Sequence, residues 1–464
     1  RFKGLFFIFI FLILIISFSG KAQLKWKIEK SVLKVPANFN NWISRNIGTY
    51  NPTNAQIGSI IGSNQSKQVV DFNKDGKKDL CVELNLGVFL GDKQDSAYRY
   101  YKAIFINQGD GSYLIDTNYI ISGRGSPWYG KFGDFNGDGK LDYFHMNQNY
   151  HGLPSKKPLD VFKYQRDDLN PSDVFFNNGK SFDKIELDTI DMMSTNGMVH
   201  DINGDGRDEI ISMPSEKFII YQYDPLSKTF FKRFDNINTF IQNNYARTIK
   251  WFHFDKVVDN KLIITISHNS FSSNKSDWRI DLLEVNLKDS STKILQSFQH
   301  PLYIWPGNNV TAATFHANES FKYEDLDYDG EKELIMISPF NNRQEKMGFN
   351  ILKKNSLATN NFWKYDTTES GFGIQGYIKD LDADGFSEII PGESSSNYYY
   401  RYLNGIYIKQ EYIPYNGFTL PNYNGKTYWT WSDDFNGDGL NDVLYFDNNN
   451  IFDNYIDRKS TRLN

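Results

Sequence analysis

The sequence predicts an all-β chain: a seven-bladed β-propeller of four-stranded blades, with the last blade closed by an N-terminal strand. Three observations carry this expectation. An acidic nine-residue motif recurs six times, each copy runs into a short apolar β-rich stretch, and aromatic residues make up 16% of the 464 residues. That composition favours strands. A chain of this length also exceeds the usual single domain unless it is built from repeats.

The motif reads D-x-[DN]-x-D-G-x-x-[DE]. It occurs as DFNKDGKKD (71–79), DFNGDGKLD (134–142), DINGDGRDE (201–209), DLDYDGEKE (325–333), DLDADGFSE (380–388) and DFNGDGLND (434–442). Successive starts lie 63, 67, 124, 55 and 54 residues apart, so the long interval is twice an ordinary one. At its middle stands DKVVDNKLI (255–263), which keeps Asp255, Asp259 and a turn-forming Asn260. It carries Val257 and Ile263 where ligands should be, and reads as a seventh repeat that lost its metal.

Taken in order, the chain begins with a leader. Arg1 and Lys3 precede an apolar run of 14 residues from Leu5 to Phe18, and Gly20-Lys21-Ala22 ends it in small-x-small fashion. Residues 1–22 read as a cleavable secretory signal peptide, because the run is short for a membrane span. The expected location is secreted, periplasmic or cell-surface, with no membrane span after cleavage. Residues 23–456 form the expected propeller. Only about 23 credible residues follow Asp434, so LKWKIEKSVLKV, inside 23–56, is expected to supply the outer strand of the last blade. Closing the ring this way covers two sheet edges at once. The tail DRKSTRLN (457–464) is basic, resembles a translated sequencing adapter, and is set aside as non-native.

Within a repeat, an aromatic segment such as KTYWTWSDD (426–434) enters the motif. The runs DLCVEL, LDYFHM, EIISMP, ELIMIS, EIIPGE and DVLYFD leave it. Hairpin signals follow in FINQGDGSYLI (105–115) and VFFNNGKSFDKI (174–185), where Asn and Gly sit between apolar residues. Strand, acidic loop, strand, strand, turn, strand at roughly 60 residues is the pattern of propeller blades. The one stretch that reads as a short helix is ANFNNWISRN (37–46).

The spacing of the acids suits a hard cation such as calcium, which takes six to eight oxygens. Side chains 1, 3 and 5 turn inward, position 7 offers its carbonyl, and position 9 closes the set. Gly at position 6 allows the bend. The expected ligands are Asp71, Asn73, Asp75, Lys77 and Asp79; then Asp134, Asn136, Asp138, Lys140 and Asp142; then Asp201, Asn203, Asp205, Arg207 and Glu209. The later repeats offer Asp325, Asp327, Asp329, Glu331 and Glu333; Asp380, Asp382, Asp384, Phe386 and Glu388; and Asp434, Asn436, Asp438, Leu440 and Asp442. About six calcium ions are expected. An EF-hand or dockerin loop starts identically but needs an acid at position 12 and a following helix. Position 12 is Val82, His145, Ser212, Met336, Pro391 or Tyr445, and strands follow. Purely solvated acidic turns would not keep an acid at position 9 in all six copies.

Charge and cysteine usage agree. Without the leader and tail the chain holds 45 basic and 55 acidic residues, and 20 carboxylates sit at ligand positions. The acidity is therefore metal chemistry, and no basic stripe points to nucleic acid. Cys81 is alone, so no intrachain disulfide forms and metal is the expected staple. Sites of about 0.1–1 mM affinity would each add roughly 0.4–1.4 kcal/mol at millimolar calcium.

At these residues the chain resembles the FG-GAP/VCBS repeat family of calcium-loop propellers, found in integrin α-subunit heads and many exported bacterial proteins. Phe132-Gly133 before the loop, the loop itself and the Asn107-Gln108-Gly109-Asp110-Gly111 turn carry the resemblance, which spans about 57–456. It departs from the family in the degenerate loop at Asp255. The resemblance implies the fold and the metal but no single function, because such propellers serve as adhesins, lectins, scaffolds and occasionally polysaccharide lyases.

No HExxH, GxSxG or phosphate loop is present. The histidines, His145, His151, His200, His253, His268, His300 and His316, read as strand or loop residues, and the paired acids are accounted for as ligands. Trp128, Tyr129, Trp251, Trp429 and Trp431 lie just before loops, where they pack between blades or offer a carbohydrate platform. Segments opening the inner strands converge on one mouth of the axial channel, so Ser126, Trp128, Asn196, Arg247, His316, Gln375 and Lys426 are candidates for a ligand rim. The expected function is a monomeric, non-catalytic binding or adhesion module for a glycan or a surface protein. The rivals are a polysaccharide-cleaving enzyme of lyase type and a structural module of a surface assembly.

Overall fold

The computed structural model describes residues 29–34, 68–83, 99–124, 129–146, 172–187, 197–212, 218–233, 237–245, 249–268, 279–299, 321–325, 333–338, 348–352, 377–381, 385–390, 398–403, 406–411, 429–435, 437, 439, 441–446 and 455–458. The leader and the stretch 37–46 lie outside them. Among the described residues the chain is all-β apart from one helix and one 3-10 turn. No helix there is long and apolar enough to cross a membrane.

After β1 (Glu29–Lys34), the first unit is β2 (Gln68–Val70), β3 (Asp79–Glu83) and β4 (Arg99–Asn107). Its fourth place is shared by β5 (Ser112–Ile115) and β6 (Ile121–Arg124), which pair with opposite ends of β4 on either side of the 3-10 turn Thr117–Tyr119. The second unit is β7 (Tyr129–Gly133), β8 (Asp142–Met146), β9 (Asp173–Asn177) and β10 (Phe182–Glu186). The third is β11 (Gly197–His200), β12 (Glu209–Ser212), β13 (Ile219–Asp224) and β14 (Thr229–Arg233). Helix α1 (Ile237–Tyr245) leads to the fourth: β15 (Ile249–Val258), β16 (Lys261–His268), β17 (Arg279–Asn286) and β18 (Thr292–Gln299). Then come β19 (Phe321–Glu324), β20 (Glu333–Ser338) and β21 (Gly348–Leu352), followed by β22 (Tyr377–Lys379), β23 (Glu388–Ile390), β24 (Tyr398–Leu403) and β25 (Ile406–Glu411). The last unit is β26 (Trp429–Asp433), β27 (Asp442–Phe446) and β28 (Tyr455–Arg458).

Each unit is an antiparallel meander in chain order, as the repeat predicts. The hairpins read at 105–115 and 174–185 join β4 to β5 and β9 to β10. The expectation of seven four-stranded blades needs correction: five blades stand out among the described residues. Five sheets stand alone, four with four strands and one with three among the described residues. The first and last units instead join through β1 into one nine-stranded sheet. There Val32 stands opposite Tyr455 in an antiparallel pair and opposite Ser112 in a parallel one. The reason is edge chemistry: a strand placed between two outer strands satisfies the open backbone groups of both.

The core lies between sheets. On β8, Tyr143 faces a cluster with Cys81, Ile121 and Phe175, while its neighbour Phe144 faces another with Val174, Ile210 and Ile219. Successive strand side chains point to opposite faces, and here both faces are covered. That is why the apolar runs after the motifs are continuous rather than alternating.

Helix α1 has no counterpart in the sequence reading. Ile237, Ile241 and Tyr245 are four residues apart and bury against Phe218, Phe254, Ile264 and Ile266. The intervening Asn238, Thr239, Asn243 and Asn244 are poor helix formers and hide that spacing. Asn238 also stitches the helix to β13 by accepting from the Phe218 N–H at 2.7 Å and donating to its carbonyl at 2.8 Å.

Candidate functional site

The repeated acidic corner sits between the first two strands of its sheet. Position 1 is its hub. Asp134 accepts from the N–H groups of Gly137 at 2.8 Å, Asp138 at 3.1 Å and Gly139 at 2.7 Å. Asp201 repeats this with Gly204 at 2.7 Å, Asp205 at 3.2 Å and Gly206 at 2.9 Å. Asp434 holds Gly437 and Gly439, Asp71 holds Gly76, and Asp380 holds Gly385. The bend needs a left-handed residue at position 6, where Gly139 has φ 81° and Gly385 has φ 92°.

Position 9 is a buried strap. Asp79, Asp142, Glu209, Glu388 and Asp442 each accept from the N–H of position 2, at 2.7–3.0 Å. Asp79 and Asp142 also accept at 2.8 Å from Asn107 and Asn177, the last residues of β4 and β9. One carboxylate thus ties the corner to the outer hairpin. Burial pushes the Asp79 carboxyl up to about 6, and Asp142 and Glu209 to about 7. Position 2 is the element the sequence reading missed: Phe72, Phe135, Ile202, Leu381 and Phe435 are all buried plugs. Their signal was the apolar residue at that place in all six copies.

Position 5 turns to position 7. Lys77 meets Asp75 at 3.2 Å and Lys140 meets Asp138 at 2.7 Å. Arg207 pairs with Asp205 and holds that carboxyl below its ordinary range. These pairs lie at the surface, where such contacts contribute little stability.

The corners fit a hard cation in donor type, all oxygen. Asp71 Oδ1, buried and without a hydrogen-bond partner, is an oxygen that a cation would satisfy. Their carboxylates are at the same time engaged by N–H donors and, in the first three corners, by the position-7 cations. Among the described residues no three His, Cys, Asp or Glu converge as a metal-holding group. Of the expected ligands, Asp327, Asp329, Glu331, Asp382, Asp384, Asn436, Asp438 and Leu440 lie outside the described residues. The degenerate repeat is a tight hairpin, with Asp259 (φ 51°) and Asn260 (φ 60°) joining β15 to β16. Ile263 is buried on β16.

All seven rim candidates, Ser126, Trp128, Asn196, Arg247, His316, Gln375 and Lys426, lie outside the described residues. Tyr129, Trp251 and the pair Trp429 and Trp431 fall on β7, β15 and β26, each the first strand of its unit.

Two polar clusters away from the corners escaped the sequence. In the fourth unit, Asp281 accepts from Tyr245 Oη at 2.8 Å and lies 3.0 Å from His268 Nε2. A carboxylate on Nε2 fixes that nitrogen as the protonated one. Burial pushes the Asp281 carboxyl up, but hydrogen bonds from His268, Ser297 and Tyr245 more than offset this and leave it lowered. In the first two units, buried Lys102 donates to Tyr143 Oη at 2.5 Å, and Gly130 makes room: a Cβ there would lie 1.9 Å from that oxygen. Partners 36 and 41 residues apart leave no local motif.

Meandering sheets, most of them bent by an acidic corner between the first and second strands, define a propeller-type repeat protein. Residues 88–145 match the family of the FG-GAP-like repeat, and the meandering sheets are arranged as in a β-propeller. No curated protein matches the chain. Among solved structures it is similar to an Agrocybe aegerita lectin recognising non-reducing terminal N-acetylglucosamine, at 14% identity and TM-score 0.36, covering 74% of this chain and 82% of that one. It is also similar to MPT-4, a mannose phosphorylase from Leishmania mexicana, at 10% identity and TM-score 0.27, covering 73% and 91%. A third is the V. cholerae biofilm matrix protein Bap1, at 11% identity and TM-score 0.25, covering 85% of this chain and 56% of that one.

Proposed function

We propose that the chain is an exported, calcium-stabilised seven-bladed propeller acting as a non-catalytic binding or adhesion module for a glycan or a surface protein. The observation that carries the reading is the corner itself: one oxygen-rich turn recurs between the first two strands of unit after unit, with an unsatisfied buried oxygen at Asp71. Repetition on that scale fits a scaffold better than a single reaction centre. The seven-blade reading counts the nine-stranded sheet as a first and a last blade that meet at β1.

Cleavage of acidic polysaccharide is the second reading, favoured by a histidine–carboxylate pair away from the corners, His268 against Asp281. Purified protein should retain glycans on an array in the presence of calcium without releasing unsaturated oligosaccharides from uronic polymers. Product release that disappears in His268→Ala would replace the binding reading with the enzymatic one.

A further inference from the structure

Three contacts run from position 8 of one corner to the start of another. Position 8 of the third corner, Asp208, accepts at 2.8 Å from the N–H of Asp134, position 1 of the second corner. Its own N–H donates to the Asp134 carbonyl, also at 2.8 Å. Position 8 of the last corner, Asn441, donates at 2.7 Å to the carbonyl of Asp380, position 1 of the preceding corner. Position 8 of the first corner, Lys78, lies 4.0 Å from Asp433, the residue before position 1 of the last corner. Each contact reaches back by one unit, and the third does so across the two ends of the chain.

We propose that position 8 is a positioning residue: a clasp that fixes the hub of the corner in the preceding blade and, through Lys78, crosses the junction that closes the ring. The Lys78 arm rests on the seven-blade reading; the Asp208 and Asn441 arms do not. Asp134 holds three N–H groups of its corner, so fixing its main chain fixes the whole turn. The glycines explain how the neighbours approach. A Cβ on Gly133 would lie 2.4 Å from Val199 Cγ1 and 3.0 Å from Asp208 Oδ2, and one on Gly137 would lie 2.8 Å from Arg207 Cγ. The Phe-Gly before the corner and the Gly at position 4 are therefore where the next corner presses in. Leu141, at position 8 of the second corner, has no polar side chain to make the same bond.

Hydrogen exchange read by mass spectrometry, in chelator and again in millimolar calcium, tests the clasp on the full chain. A clasp acts on the neighbour's corner, whereas an ordinary local role acts on its own. Asp208→Ala should speed exchange at 137–139 about tenfold or more, the loss of a charge-assisted bond. Exchange at 204–206 should stay within about twofold of wild type, and Asp208→Asn, which keeps an acceptor oxygen, should restore 137–139. Acceleration confined to 204–206, or spread evenly over all corners, overturns the proposal. Should Asp208→Ala not fold, Asn441→Ala read at 380–385 gives the same decision. A carbodiimide should join Lys78 to Asp433 within single chains as it joins Lys293 to Glu284, a pair 3.0 Å apart. A Lys293–Glu284 link without the Lys78 link removes the junction arm. Because the Asp208 result is read in chelator too, it stands or falls apart from calcium.

Discussion

The carboxylate at position 9 shows how one side chain can carry a fold. Asp142 is fully buried, accepts from Phe135 in its own corner and from Asn177 at the end of β9, and keeps both N–H groups from being orphaned. A buried donor left without a partner costs about 1–3 kcal/mol. Asp142→Ala should therefore lower stability by about 2–5 kcal/mol in urea unfolding, and Asp142→Asn, which keeps one acceptor, by roughly half of that. Asp281 gives the residue scale its pH dependence. Its folded carboxyl lies below the unfolded value, so its contribution is complete above the ordinary carboxylate range, about 4. It is lost as pH falls through the lower folded value. Melting curves below about pH 4 should fall more steeply for wild type than for Asp281→Asn.

At the scale of the element, two solutions to the same bend stand side by side. Where eight residues join the first two strands, a carboxylate hub and a left-handed glycine hold the turn. Where the motif is degenerate, β15 and β16 are longer and meet at Asp259 and Asn260, both left-handed. Such a turn asks for Asn, Asp or Gly. Asn260→Gly should be neutral to within about 0.5 kcal/mol, whereas Asn260→Val should cost about 1–2 kcal/mol. Urea denaturation of the two variants gives both figures. Helix α1, placed before β15, packs Ile237, Ile241 and Tyr245 against apolar residues of the third and fourth units.

For the whole molecule, the decisive question is whether divalent ions contribute to its stability. Six sites of about millimolar affinity would add a few kcal/mol in millimolar calcium. Adding chelator should lower the melting temperature, while exchange within β15–β18 should be the least affected, because that unit has no acidic corner. An unchanged melting temperature removes the metal from the proposal.

The sequence by itself determined the units and their bends: six copies of one motif in register, apolar runs after each, and the spacing that exposed the degenerate fourth copy. These were legible because a corner is local, its hub, glycine and strap lying within nine consecutive residues. Only the tertiary structure decided what lies between units. Asp208 against Asp134, His268 with Tyr245 on Asp281, Lys102 under Tyr143, and β1 between β28 and β5 all join residues far apart in the chain. Backbone hydrogen bonding and packing across neighbouring sheets bring such pairs together, and neither leaves a periodic trace along the chain.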